Sequence, residues 1–185
     1  MRLFIGVRLS EDLCARIVRA TADVRSSTPD IRWTNADAFH ITLRFLGDVA
    51  EEYVAALRAA LDACAARNRQ FILRTGRAGA FPRMSRAQVL FLGVEDGGAT
   101  SMLVECLDTA LEPLGFAPEQ RAFTPHVTLG RAKNRRGAHV SDVVAGIAVD
   151  ATMQVDRVEL IQSHLGGGPA RYEVLHAAML KEGTE

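Results

Sequence analysis

His40-Ile41-Thr42-Leu43 returns as His126-Val127-Thr128-Leu129, 126 − 40 = 86 positions later in a chain of 185 residues. Each copy lies in a run of β-branched and apolar residues, 39–46 and 123–129, that reads as a strand. Alternate side chains of a strand share a face. His40 and Thr42 therefore point one way, Ile41 and Leu43 the other, and His126 and Thr128 repeat the arrangement. Two imidazoles with ordinary pKa values of about 6.5 can serve one displacement as base and acid. A threonine hydroxyl two residues along, stiff at χ1, can hold a non-bridging phosphate oxygen. Such a set suits a phosphodiester that carries its own internal nucleophile or leaving group, and it needs no metal-bound water. By alternation Arg44 shares the face of His40 and Thr42. Arg131 falls on the face opposite His126 unless the strand bends or ends near Gly130, which a glycine permits.

A lone histidine in a strand is usually a packing residue; two in matching contexts, half a chain apart, are not easily read that way. The competing account is a duplication in which His and Thr are kept only for packing. Two histidines are too few for a closed zinc site. Asp37 and Asp48 flank the first copy at loop positions without ligand spacing, and no GxSxG, GxGxxG or P-loop pattern is present. Neither a metal nor a cofactor is expected.

The elements that must position these residues can be read from periodicity. A first strand over 3–7 leads into a helix capped by Ser10, with Leu13, Ile17 and Val24 as its apolar stripe. A helix over 50–67 buries Val54, Leu57, Leu61 and Cys64. Strands over 71–75 and 89–94 are joined by a long polar loop containing Gly76, Gly79, Pro82 and Arg83. A Gly97-Gly98 turn opens a helix with Leu103, Leu107, Leu111 and Leu114, ended by Gly115. A basic loop over 131–137, a short helix over 141–146, and closing strands over 153–162 and 172–180 joined by a turn at 166–169 complete the chain. The fold class is α+β: two similar lobes, each a small sheet backed by helices, with the motif strands lining a cleft between them.

Composition narrows the function classes. At 48% hydrophobic and 24% charged residues the chain is an ordinary globular sequence. Lys plus Arg and Asp plus Glu both number 22, so no broad grip on duplex nucleic acid is implied, though a local basic patch is left open. Cys14, Cys64 and Cys106 form no disulfide or zinc pattern and are expected as reduced thiols in a cytoplasmic protein. Residues 1–8 are apolar for too few positions to be a signal peptide, and no run approaches the ~20 apolar residues of a membrane span.

The two motifs, Arg32-Trp33 before the first, the run Arg44-Phe45-Leu46-Gly47 after it, Gly79-Ala80-Phe81-Pro82, and Phe123-Thr124-Pro125 leading into the second resemble one family over nearly the whole chain. It is the RNA 2′,3′-cyclic phosphodiesterases, also called 2′-5′ RNA ligases, of the two-histidine (2H) phosphoesterases, defined by two H-x-T-x motifs. The resemblance implies a single bilobal α+β domain over 1–185, largely antiparallel in its sheets. It implies hydrolysis of an RNA-terminal 2′,3′-cyclic phosphate to a 2′-phosphomonoester without metal or ATP, with reversible 2′-5′ ligation as a side activity. By the same resemblance His40 would donate a proton to the leaving 3′ oxygen and His126 would accept one from water. Thr42 and Thr128 would hold the phosphate oxygens, and Arg131 would add a charge-assisted contact. Arg44 is a secondary candidate by its face. Gly168 and Tyr172 fit a family pattern near the end, with Tyr172 open between stacking on a base and packing inward. The partners implied are RNA 3′ ends or nucleotide cyclic phosphates, bound by a monomer. His139, His164 and His176 match no signature. The basic loop, with Arg83 and Arg86, is open between contacting an RNA backbone and being a solvated charged surface. Two other readings stay in view: a phosphodiesterase for small cyclic nucleotides or ADP-ribose cyclic phosphate, and a catalytically idle RNA- or nucleotide-binding module.

Overall fold

The protein is described by a computed structural model over residues 1–164 and 171–183. The expected turn at 166–169, with Gly168, lies outside the described residues. β1 (Arg2–Arg8) is buried on both faces from Leu3 to Val7, which makes it a central strand. α1 (Glu11–Ser27) begins where Ser10 Oγ accepts from the Leu13 N–H at 3.3 Å. There follow β2 (Ile31–Trp33), β3 (His40–Asp48), α2 (Val54–Ala65), β4 (Phe71–Phe81), β5 (Val89–Glu95) and α3 (Ala99–Leu111). β6 (His126–Ala132), α4 (Ser141–Ala145), β7 (Thr152–Val155), β8 (Arg157–His164) and β9 (Arg171–Met179) complete the order.

The strands form a nine-stranded sheet in the order β7-β4-β5-β6-β3-β1-β8-β9, with β2 added beside β6 and these pairings antiparallel. The two expected lobes are its halves: β3-β1-β8-β9 and β6-β5-β4-β7. They meet through one backbone pair, Ile41 with Val127. α2 packs on β8 and β9 and α3 on β3, burying Leu57, Leu61, Leu103 and Leu107 against the first half. α4 packs on β4, and α1 is tied to the second half where the Ser10 N–H meets the Met153 sulfur at 3.0 Å. Cys64 on α2 and Cys106 on α3 are unbridged, with sulfurs 2.7 Å apart; burial and the neighbouring thiol push the Cys64 thiol up to about 12.

Several boundaries differ from those read in the sequence, each for a pairing reason. The expected polar loop after residue 75 is strand through Phe81: a register shift between Thr75 and Ala78 absorbs Gly76, and Gly79 pairs with Phe91. An ideal Cβ on Gly79 would sit 2.6 Å from the Phe91 ring, so glycine is what lets that ring lie over the strand. The run over 153–162 is two strands broken at Asp156, because β7 pairs with β4 in one half and β8 with β1 in the other. β6 starts at His126 rather than at Phe123, after Pro125, which has no N–H to give a ladder. β2 is too short to show a period and went unread.

Candidate active site

The central pair Ile41–Val127 fixes the site. Continuing its antiparallel register sets His40 opposite Thr128 and Thr42 opposite His126, so four polar side chains alternate crosswise on one face while Ile41, Leu43, Val127 and Leu129 are buried on the other. Each imidazole is oriented by the same local device. His40 Nδ1–H donates to the Ala38 carbonyl at 2.8 Å and His126 Nδ1–H to the Thr124 carbonyl at 2.7 Å. A carbonyl can only accept, so Nδ1 carries the proton in both neutral rings and Nε2 is the nitrogen left for chemistry.

Both rings stand among aromatics, of which the sequence offered only Tyr172 as a site candidate. His40 lies 4.7 Å from Phe4 and meets Tyr172 edge-on at 5.0 Å. His126 meets Phe81 at 5.2 Å and Phe91 at 5.5 Å, and those two rings stack on each other at 4.3 Å. Alternation on β1 could have placed Phe4 opposite Leu3, Ile5 and Val7, but its backbone partner on β3 is Phe45, and only the folded side chains bring its ring to His40. Tyr172, left open between a stacking and a packing role, is placed at the His40 edge.

Matching β-bulges follow the two motifs. On β3, Ile5 pairs with Arg44 and Gly6 with Thr42, which leaves Leu43 as the extra residue; on β6, Leu90 pairs with Gly130 and Phe91 with Thr128, which leaves Leu129. A bulge shifts the side-chain alternation by one. Arg131, on the wrong face by simple alternation, is thereby returned to the face of His126 and Thr128. It is close enough to act electrostatically on both His40 and Tyr172. The same shift carries Arg44 away. Its side chain is buried, lies 3.1 Å from Asp108 of α3 and donates to the Ala117 carbonyl. The expectation that Arg44 shares the face of His40 is therefore corrected, and Phe45, 52% exposed, takes that place. His164 pairs with Glu173, His176 with Asp62 and His139 with Ser141. Among the described residues no group of three or more His, Cys, Asp or Glu gathers as a metal site would require, and no helix is long and apolar enough to cross a membrane.

Burial pushes the His40 imidazole below its ordinary value, against the pull of the Ala38 carbonyl, and electrostatic interaction with Arg131 and His126 pushes it further. The unfolded chain then takes up this proton near pH ~6.5 and the folded protein only at lower pH, so stability is full above ~6.5 and is lost as pH falls through the folded value. Urea unfolding at about pH 7.5 and about pH 5 should show a larger loss for the wild type than for His40→Gln; equal losses would show that another group carries the acid limb.

Residues 9–167 match the model of the 2′-5′ RNA ligase superfamily, and the chain belongs to that family. It is 29% identical over 175 residues to an RNA 2′,3′-cyclic phosphodiesterase of Geobacillus stearothermophilus, covering 94% of this chain and 55% of that protein. The chain thus spans about half the length of that curated relative. The Methanothermobacter thermautotrophicus protein of the same name is 30% identical over 169 residues, with 89% of this chain and 91% of that one covered. Among solved structures, E. coli LigT complexed with 3′-AMP superposes with a TM-score of 0.76 at 26% identity over 97% of both chains.

Proposed function

We propose that the protein hydrolyses the 2′,3′-cyclic phosphate at an RNA end to a 2′-phosphomonoester, using its two histidines and no metal. The observation that carries this reading is the matched tethering of both imidazoles, Nδ1 to the carbonyl two residues back, with each histidine set opposite the other motif's threonine. Water, deprotonated by His126 Nε2, attacks phosphorus; the bond from phosphorus to O3′ breaks, and protonated His40 Nε2 gives its proton to O3′. His126 ends protonated and His40 neutral, and exchange with solvent restores both. Thr42 and Thr128 hydroxyls donate to the non-bridging oxygens, and the Arg131 guanidinium offsets the charge that gathers there. The depressed basicity of His40 suits this role once substrate arrives, because an anionic phosphate beside the ring favours its charged form. Tyr172 holds the His40 edge. With a 5′-hydroxyl in place of water as the nucleophile, the same steps break the bond from phosphorus to O3′ and leave a 2′-5′ linkage, slowly.

Relatives named RNA 2′,3′-cyclic phosphodiesterase and a structural neighbour holding 3′-AMP support the substrate class. The deciding experiment is hydrolysis of a short RNA ending in a 2′,3′-cyclic phosphate, in EDTA, with the product phosphate located. A 2′-phosphate product is expected. Turnover of small cyclic phosphates alone would move the substrate to nucleotides, and binding of a 2′-phosphate end without turnover would make the protein an idle binding module.

A further inference from the structure

The zero net charge conceals a separation. Residues 63–94 and 120–141 contain no Asp or Glu and hold eleven of the 22 Lys and Arg, while all 22 acidic residues lie in the rest of the chain. The fold brings these two acid-free stretches together, since the first contains β4 and nearly all of β5 and the second contains β6, three neighbouring strands of one half. At one end of these strands the loop over 82–88 is stitched to the loop over 133–140. Ala87 and Ala138 exchange backbone hydrogen bonds at 2.8 and 2.9 Å, Val140 N–H donates to the Met84 carbonyl at 2.9 Å, and Gln88 Nε2 donates to the Arg135 carbonyl at 3.0 Å. Gly137, at a φ of 80°, allows the approach, for an ideal Cβ there would sit 2.9 Å from the Ala87 carbonyl oxygen.

The joined loops present Arg83, Arg86, Lys133, Arg135 and Arg136, all exposed and none in an ion pair among the described residues. Arg86 donates to the Arg136 carbonyl at 3.2 Å, so its guanidinium is held in place. The patch is continuous with the candidate site. Its first loop leaves directly from Phe81, which touches the His126 ring, and Arg131 pairs in register with Val89 where that loop returns. Five like charges held on a braced surface, with no acid within either contributing stretch, repel one another unless a polyanion covers them.

Resting on the function proposed above, we infer that this surface binds the RNA strand 5′ to the reacting end, so that the substrate is an oligonucleotide several residues long rather than a mononucleotide. Successive phosphates would run from the cleft past the stacked Phe81–Phe91 pair onto the joined loops. The cations then act as backbone contacts that tolerate any sequence.

The test compares a mononucleoside 2′,3′-cyclic phosphate with an eight-nucleotide RNA carrying the same end, on the wild type and on Arg83→Gln/Arg135→Gln/Arg136→Gln. These three side chains make no bond that holds the loops, and Arg86 is left in place because it does. Wild type should favour the oligonucleotide by at least about tenfold in kcat/KM. The variant should lose most of that advantage, keep the mononucleotide rate, and show a slope of log affinity against log salt shallower by about 2, near 0.7 for each phosphate contact removed. Equal wild-type rates on the two substrates, or a variant that keeps the full advantage, overturns the inference while leaving the cyclic phosphodiesterase reading intact. If neither substrate turns over, that reading fails, and the surface is judged by anisotropy of a labelled RNA with a 3′-terminal phosphate. Salt-dependent binding weakened at least about tenfold in the variant then supports it, and unchanged binding overturns it.

Discussion

Replacing either His40 or His126 by alanine is expected to lower kcat/KM by about 10²–10⁴-fold, the usual worth of a positioned acid or base. In the proposed mechanism both imidazoles take part in one displacement, so the double variant should fall little further than the worse single one. The fold should survive. Both rings are only partly buried, and each imidazole makes one hydrogen bond, to a carbonyl of its own chain segment. Thermal unfolding of each variant checks that point alongside the kinetics. A loss smaller than about tenfold with an unchanged unfolding curve would remove that histidine from the acid–base pair. The wild-type pH–rate profile should be bell-shaped, with limbs that belong to the coupled pair rather than to one ring each.

The second expectation separates two arginines that the sequence left side by side as candidates. Arg131→Ala should cost roughly 10- to 100-fold in kcat/KM, the scale of one charge-assisted hydrogen bond, with little change in stability because the side chain is exposed. Arg44→Ala should do the reverse. It removes the cation that faces Asp108, a carboxylate only 21% exposed, and leaves the Ala117 carbonyl without its donor. Breaking a fully buried pair costs about 3–5 kcal/mol, and the residual exposure of Asp108 puts this one at or below the low end. Although Arg44 Nε and Asp108 Oδ1 are 3.1 Å apart, they are too poorly aligned for a hydrogen bond, which also argues for the lower figure. Denaturant unfolding and kcat/KM per folded molecule, measured on both variants, give the comparison. If Arg44→Ala lost activity at full stability and Arg131→Ala lost stability at full activity, the bulges would have been assigned the wrong consequence.

Those bulges mark where sequence reasoning stopped. Repetition of His-x-Thr with apolar residues between gave the paired strands and the shared face of each His and Thr, because period two is a local property. α2 and α3 were legible for the same reason, their apolar stripes recurring at steps of three and four. Whether Leu43 and Leu129 are ordinary strand residues or extra ones depends on partner strands β1 and β5, far away in sequence. Nothing local to residues 40–46 could therefore show that Arg44 turns inward and Phe45 outward. Phe4, Phe81 and Phe91 were missed likewise, since an aromatic in a strand reveals its face but not which histidine its ring will reach. The break at Asp156 was hidden because β7 and β8 read as one apolar run, although they serve opposite halves of the sheet. Gly79 did carry a usable signal: a glycine inside a strand pattern marks a close approach, here of the Phe91 ring.

Phe45 and Arg131 occupy corresponding places, each two positions beyond the last residue of its motif. A catalytic centre built on a near-dyad offers an incoming phosphate two poses related by half a turn, with the histidines exchanging duties between them. If the halves were identical, the poses would be degenerate and the enzyme would have no preferred leaving oxygen. An exposed ring on one side and a cation on the other lift that degeneracy. On the proposed mechanism, the direction in which a strand enters the centre, and hence which ring oxygen departs, is set where the two similar halves differ rather than in the residues they share.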